Sequence, residues 1–242
     1  STHHQPQFFP RAVFVSGNLT GSWAHHCRDK RSCTWVLTKN HSCVSFLSLV
    51  GGLKLSFQDN LKIGKMGESH ISMWFRKRGY TVLPVYEKII DEGKGPQLFT
   101  PSCELVAPDM LVFKSENTLW IEAKYKTRFS WYGIKRRFVT GIDQRHYHDY
   151  CRLAEFSKFP VWLLFLHSCS ETWSDDVNKW NAPAKCPVGL FGQDIKYLMK
   201  HESHKNEKHG RTGMVYWAHE TLKLIAPLEE VIESDTRLRI AA

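Results

Sequence analysis

The sequence lacks several patterns that mark common classes of protein. Its longest apolar run, Cys43 to Leu53, covers only eleven residues and contains two glycines, which is too short to span a bilayer. No secretory signal opens the sequence, and neither a GxxxxGK[ST] phosphate loop nor a GxSxG nucleophile elbow occurs in it. These absences argue against a membrane protein, an ATP-driven motor and a serine hydrolase of that type.

Cysteine pairs are also missing. The chain has seven cysteines, and none of them forms a CxxC pair. An odd number with irregular spacing is not typical of a disulfide framework, so we expect a reducing compartment. We therefore expect a cytoplasmic or nucleoid-associated protein, and an origin in a phage or mobile element is left open.

Acidic residues are scarce relative to basic ones. The chain has 33 Lys and Arg against 24 Asp and Glu, a net charge of +9. Such a balance favours a polyanionic partner, nucleic acid before membrane. The imbalance is greatest in residues 1–57, where Asp29 is the one acidic residue against six basic ones. Because composition changes near residue 60, we predict an N-terminal extension or accessory region at 1–60 and an ordered domain at 61–242.

Helical and strand patterns alternate in the ordered part. They predict, in order, a helix at Gly67–Lys77 capped by Gly79, a strand at Thr81–Val85, a loop at Asp91–Pro101, a hairpin of Asp109–Phe113 with Thr118–Tyr125, a basic loop at Lys126–Phe138, a helix at Ile142–Phe156 and a buried strand at Val161–His167. This order, αβββαβ, predicts an α/β fold with a central mixed sheet flanked by helices. Beyond it we expect a loop at Ser168–Pro187, an edge strand at Met214–Trp217 and a helix at Pro227–Glu233.

The chemistry-bearing residues lie on the predicted hairpin. Glu122 and Lys124 project from the same face of the second strand, roughly 6.5–7 Å apart. Asp109 opens the first strand, and a hairpin in register brings it near Glu122. Two carboxylates close together repel unless a divalent cation lies between them, and Mg²⁺ prefers carboxylate oxygens. A metal-bound water could then attack a phosphodiester, with Lys124 positioning that water or stabilising the transition state.

The same residues carry a resemblance to a known family. Pro108-Asp109, followed after twelve residues by Glu122-Ala123-Lys124, resembles the PD-(D/E)xK signature of the restriction-endonuclease-like nucleases. The pattern is closest to the branches similar to Holliday junction resolvases. The resemblance covers residues 66–167, so residues 168–242 are read as C-terminal additions. It implies a Mg²⁺-dependent deoxyribonuclease, an endonuclease, in which Mn²⁺ substitutes for Mg²⁺ and DNA is the partner, while a homodimer is left open.

Two further site residues follow from the resemblance. In the resolvase-like branches an acidic residue on the first helix reaches the metal, which assigns Glu68 to the metal site with Asp109 and Glu122. Several branches carry a Gln-x-x-x-Tyr pair on the helix after the lysine strand, which suggests a catalytic role for Gln144. That spacing is absent at Gln144, because the residue four positions later is His148. Gln144 instead shares a helix face with Tyr147.

A basic segment follows the hairpin. Residues 124–152 hold eight Lys or Arg against two acidic residues, with aromatic residues interleaved. Cations contact phosphates and aromatic faces stack on bases, so this composition favours contact with DNA. The predicted DNA-binding residues are Lys126, Arg128, Lys135, Arg136, Arg137, Arg145 and Tyr147. The plain alternative is a solvated loop above core aromatics.

Two other functions remain open from the sequence. The first is a non-catalytic DNA-binding protein on a nuclease scaffold. The second is a zinc-binding adaptor, because the N-terminal region holds ligand types suited to zinc, although their spacing matches no familiar finger: His25, His26, Cys27, Cys33, His41 and Cys43.

Overall fold

A computed structural model describes residues 57–85 and 96–232 of the chain. These residues belong to one unit that begins at Phe57. The predicted N-terminal region and its six candidate zinc ligands lie outside the described residues, apart from the first residues of a helix. The division of the chain at residue 60 therefore stays a prediction.

The helices and strands follow one another closely along the chain. In order they are α1 (Phe57–Lys77), β1 (Thr81–Pro84), β2 (Gln97–Phe99), β3 (Glu104–Val106), β4 (Met110–Lys114), β5 (Asn117–Lys126), β6 (Ser130–Tyr132), β7 (Arg137–Asp143), α2 (Gln144–Phe156), β8 (Val161–His167), α3 (Ser174–Trp180), β9 (Gly189–Asp194), α4 (Ile195–Met199), β10 (His204–Asn206), β11 (Met214–Ala218), a 3₁₀ turn (His219–Thr221) and β12 (Lys223–Ala226). Residues 228–232 are helical, in agreement with the predicted C-terminal helix as far as the description reaches.

A six-stranded sheet forms the centre of the fold. Its strand order is β1-β4-β5-β8-β9-β12. Strands β5 and β8 run parallel, and the other neighbours run antiparallel. All seven residues of β8 are buried, which is expected of a strand covered on both faces. The predicted α/β class with a central mixed sheet is confirmed.

Helices cover this sheet. Helix α1 buries Ile71, Trp74 and Phe75 at the three- and four-residue spacing seen in the sequence. Gly79 follows it with φ of 77°, as expected of the glycine that ends a helix. On the other side, α2 joins α4 and β11 in one hydrophobic cluster with alternate residues of β8. The sheet is thus packed between helical layers, and β5 lies near its middle.

A second sheet, of four antiparallel strands, has the order β10-β11-β7-β6. It curls until its opposite edges meet. The Tyr132 ring on β6 stacks on His204 of β10 with centroids 3.9 Å apart, and Lys135 Nζ donates a 2.9 Å hydrogen bond to the Ser203 carbonyl. Strand β7 runs directly into α2, so this sheet determines where that helix begins.

Several predicted boundaries are wrong. Helix α1 starts at Phe57 rather than Gly67, and its early turns expose Leu61 and Met66, so they show no apolar periodicity. The predicted loop at Asp91–Pro101 contains β2, which pairs with β3. Helix α2 begins at Gln144 rather than Ile142, which belongs to β7.

Three segments predicted as loops or an edge have more structure than expected. The basic loop is the hairpin β6–β7, in which Trp131 pairs with Phe138 and their rings lie 4.9 Å apart. The loop at Ser168–Pro187 contains α3. The predicted edge strand Met214–Trp217 is an interior strand, because β10 pairs with its free side. All three depend on contacts between segments that are distant in sequence or on short elements without a clear period.

Candidate active site

The hairpin β4–β5 places two carboxyl groups at one end of the central sheet. Met110 pairs with Ile121, so Asp109 directly precedes β4 beside Glu122 of β5. The Ala123 amide N–H donates a 2.7 Å hydrogen bond to Asp109 Oδ2. This bond anchors the Asp109 side chain across the hairpin. The register of the hairpin is therefore the one that the sequence predicts.

Glu122 is the most deeply buried acidic side chain of the site. It is 1% exposed and forms an ion pair with Lys124, two residues along the same strand face. Tyr150 of α2 also hydrogen-bonds to the Glu122 carboxylate. Burying a carboxylate is costly, and these two donors offset part of that cost.

The charges of the site perturb one another. Burial raises the pKa of Asp109 well above its usual value, and the neighbouring Glu122 charge raises it further, against an opposing effect of Lys124. Burial alone would lower the pKa of Lys124, but the carboxylates of Glu122 and Asp109 together raise it above its usual value. Lys124 is therefore a permanent cation beside two carboxyl groups that compete for it.

Glu68 belongs to the same electrostatic group. It lies on α1 and is partly buried, and burial raises its pKa while the Lys124 charge lowers it. The preceding residue, Gly67, allows helix α1 to bring Glu68 close to strand β5. A Cβ atom at Gly67 would lie 2.5 Å from Cβ of Tyr125, so only glycine lets α1 approach β5 this closely. The structure thus brings together Glu68, Asp109, Glu122 and Lys124, as the sequence predicts.

The residues present can be compared with the needs of a divalent cation. No group of three or more His, Cys, Asp and Glu side chains in residues 57–85 and 96–232 is arranged so that it could hold a metal ion. Mg²⁺, however, commonly uses one or two carboxylates and keeps several waters. Glu122 and the neighbouring Asp109 supply two carboxylates of that kind. The donor set therefore fits a Mg²⁺ ion held by two carboxylates.

Gln144 does not lie where the predicted role requires. It is the first residue of α2, its backbone N–H donates to the Gly213 carbonyl at 2.9 Å, and its side-chain oxygen lies against Gly213. None of the contacts described for the chain links it to Glu122 or Lys124. Asp143, just before it, caps α2 by accepting from the Arg145 N–H at 3.0 Å. Gln144 therefore faces the loop before β11 instead of the carboxylates.

Tyr147 is also placed differently from the prediction. Its side chain is 3% exposed, its hydroxyl donates a 2.5 Å hydrogen bond to Glu202, and its ring packs edge-on against Trp217. Contrary to the prediction, it belongs to the core and offers no face to DNA. An aromatic residue one helical turn from a cap is more often a packing residue than a ligand-binding one, and that is its role here.

Two other residues of α2 reach the site, and the sequence analysis missed them. Burial lowers the pKa of His146, and the Lys124 charge lowers it further. Burial raises the pKa of Tyr150 well above its usual value, and the carboxylates of Glu122 and Asp109 add to this shift. The two rings lie 6.2 Å apart. Their i,i+4 spacing was the available signal, because it repeats the Gln-x-x-x-Tyr spacing with His in the first position.

The predicted DNA-binding cations lie in different surroundings. Burial and the Lys124 charge lower the pKa of Lys126 to about 8. Arg128 stacks 4.1 Å above the Trp173 ring and donates to the Glu171 carbonyl, so the protein itself holds its guanidinium. The remaining four have exposed side chains: Lys135, Arg136, Arg137 and Arg145.

No helix among the described residues is long and apolar enough to cross a membrane.

Comparison with protein-family models and with curated proteins finds no match. Among solved structures, a Holliday junction resolvase from the archaeal hyperthermophile Archaeoglobus fulgidus is similar, with a TM-score of 0.38 and 10% sequence identity. The similarity covers 69% of this chain and 98% of the resolvase chain.

Proposed function

We propose that this protein is a Mg²⁺-dependent DNA nuclease that hydrolyses phosphodiester bonds at the site formed by Asp109, Glu122 and Lys124. One observation carries the proposal: Asp109 lies beside the almost completely buried Glu122, and burial and the charges of Glu122 and Glu68 raise the pKa of Asp109 against the opposing charge of Lys124. A structural salt bridge pairs one carboxylate with one ammonium group, whereas three acidic side chains act on one another here. This excess of negative charge supports a role of the carboxylates as ligands of a divalent cation.

The surrounding residues support the same chemistry. Asp109 and Glu122 would hold the cation, with Glu68 close enough to influence the charge of the site. A bound Mg²⁺ supplies an acidified water and neutralises charge on the phosphate oxygens. Lys124 keeps its proton, so it can donate to the oxyanion that develops on the phosphate. From α2, Tyr150 hydrogen-bonds to Glu122, and His146 interacts electrostatically with Lys124 and Glu122.

We also infer that the described core has the restriction-endonuclease-like arrangement. The observations that support this inference are the order α1, β1, β4, β5, α2, β8 and the position of the two acidic residues. Relative to that order, the hairpins β2–β3 and β6–β7 are insertions.

The proposal is tested by cleavage of DNA with Mg²⁺ or Mn²⁺. Linear, single-stranded, branched and supercoiled DNA are incubated with the full chain and with Asp109→Asn. Asparagine keeps an acceptor for the Ala123 N–H, so the hairpin should stay intact while the metal-binding charge is lost. We expect a loss of activity of at least about 100-fold, in line with the loss of one key charge-stabilising group.

Asp149→Asn is the matched control. Asp149 also accepts one backbone hydrogen bond, from the Val106 N–H at 3.1 Å, but it faces β3. This variant should cleave as the wild type does. A wild type that binds these DNAs but cleaves none of them with either metal would overturn the nuclease proposal and favour a non-catalytic DNA-binding protein. Equal activity of Asp109→Asn and the wild type would overturn the assignment of the site.

A further inference from the structure

A basic groove of about 480 Å³ lies outside the carboxylate site. The turn between β6 and β7 forms one wall and carries Lys135, Arg136 and Arg137. Tyr197 of α4 and His201, two residues beyond that helix, also line the groove, together with the end of β11 and the 3₁₀ turn that follows. The proposed nuclease chemistry uses no part of this groove.

The turn holds its cations in place. The Lys135 N–H donates to the Tyr132 carbonyl and the Arg136 N–H donates to the Gly133 carbonyl, which closes the turn. Arg136 has φ of 47°, a left-handed conformation that arginine rarely adopts. Such a conformation persists where the surrounding structure imposes it, and it often marks a functional position. The hydrogen bond from Lys135 Nζ to the Ser203 carbonyl fixes the turn against β10.

The groove carries uncompensated positive charge. Among the described residues, none of Lys135, Arg136 and Arg137 forms an ion pair with a carboxylate. The one carboxylate in the lining is Glu220. Three adjacent cations repel one another, and this repulsion is relieved by a polyanion that contacts all of them.

The aromatic part of the lining adds groups suited to the same ligand. The Tyr197 and His201 rings stack with centroids 4.0 Å apart. His201 Nδ1 lies 2.8 Å from the Tyr197 carbonyl, which can only accept, so Nδ1 carries the hydrogen and the bond fixes the ring against α4. Tyr197 is 40% exposed. A groove lined by cations and by a tyrosine–histidine stack fits a sugar-phosphate backbone.

We propose that this groove binds the phosphate backbone of a duplex DNA arm that extends away from the scissile bond. The proposal rests on the proposed function and deepens it. Six residue steps along β7 separate Arg137 from Asp143, which caps the helix that reaches the carboxylate site. At about 3.3 Å per residue that is about 20 Å along the strand, so a duplex held at the carboxylate site has to extend beyond the scissile bond to reach the groove.

The first test measures binding without cleavage, by fluorescence anisotropy of a labelled 30-base-pair duplex in EDTA. The variant is Arg136→Gln/Arg137→Gln, and the control is Lys158→Gln/Lys179→Gln, which removes two exposed cations elsewhere. Each phosphate contact contributes about 0.9 to the slope of log affinity against log salt. Loss of two contacts should lower that slope by about 1.8 and weaken binding about 30-fold at about 0.15 M salt. The control should change neither quantity.

The second test varies the length of the duplex on one side of the cut. Wild-type affinity should rise with the length of the arm until the arm reaches the groove, and then stay constant. The affinity of the groove variant should not depend on that length. An affinity and a salt slope that the groove substitutions leave unchanged would overturn the groove proposal, even if the protein cleaves DNA. A groove-dependent affinity in a protein that never cleaves DNA would uphold the groove and overturn the proposed nuclease activity instead.

Discussion

Acid should weaken the fold through one buried histidine, His167, at the end of β8. Its side chain is 0% exposed, and its ring stacks on Phe129 with centroids 3.7 Å apart. Burial, together with the charge of Lys126, lowers the pKa of His167 to about 3. In the unfolded chain the imidazole takes up a proton near pH 6.5. Because the folded pKa is the lower one, the stability from neutral His167 is present above pH 6.5 and is lost as pH falls towards 3.

The size of the effect follows from these two values. Between pH 7 and pH 5 one such group costs about 2 kcal/mol of unfolding free energy. Urea unfolding at both pH values should show this loss for the wild type. His167→Phe keeps an aromatic ring of similar size against Phe129 and removes the titrating group. Its unfolding free energy should therefore fall by about 2 kcal/mol less than that of the wild type between these pH values. His148→Gln, at an exposed histidine, is the control and should behave as the wild type does. Equal losses for the wild type and His167→Phe would refute the reasoning.

Three shorter predictions concern the carboxylate site. Asp109→Asn should raise the melting temperature in EDTA, because it removes a buried charge next to Glu122. Mg²⁺ should raise the melting temperature of the wild type only, and scanning fluorimetry that shows an equal rise for both proteins would contradict this. Tyr150→Phe should lower kcat about tenfold through one lost polar contact while DNA affinity stays unchanged, and an altered affinity with normal kcat would speak against it. Gly67→Ala should destabilise the protein by about 1–3 kcal/mol in urea unfolding, because its Cβ meets Tyr125; an unchanged midpoint would refute the close packing.

The hairpin of the site could be predicted because the residues that determine it lie close together in the sequence. The alternation of Glu122 and Lys124 with apolar residues determines which side chains share a face, and the short turn at Ser115 and Glu116 determines the register. The site residues on α2 could not be chosen in the same way. Several polar pairs on that helix have helical spacing. Which pair contacts β5 depends on the position and rotation of α2, which strand β7 determines. His146 and Tyr150 interact with the charges of the site, whereas Gln144 is the first residue of α2 and its side chain lies against Gly213.

The second sheet was the main part of the fold that the sequence did not indicate. Its strands come from residues 130–143 and 204–218, so the pairing of Gly141 with Tyr216 spans more than 70 residues. Strand β10 has three residues, too few to show alternation. Met214–Trp217 therefore resembled an edge strand, and the basic segment resembled a loop. The cations of that segment were recognised, whereas the groove they form depends on β11 and α4.

The closure of the curled sheet has a mechanical consequence. Strands β6 and β10 lie at opposite edges of the strand order, so no backbone ladder joins them. The ring stack of Tyr132 on His204 and the hydrogen bond from Lys135 hold them together. Separating these edges costs about 0.5–1.5 kcal/mol for the stack and a similar amount for the hydrogen bond. The seam between these edges is therefore closed by side-chain contacts, which break at lower cost than a backbone ladder of several hydrogen bonds.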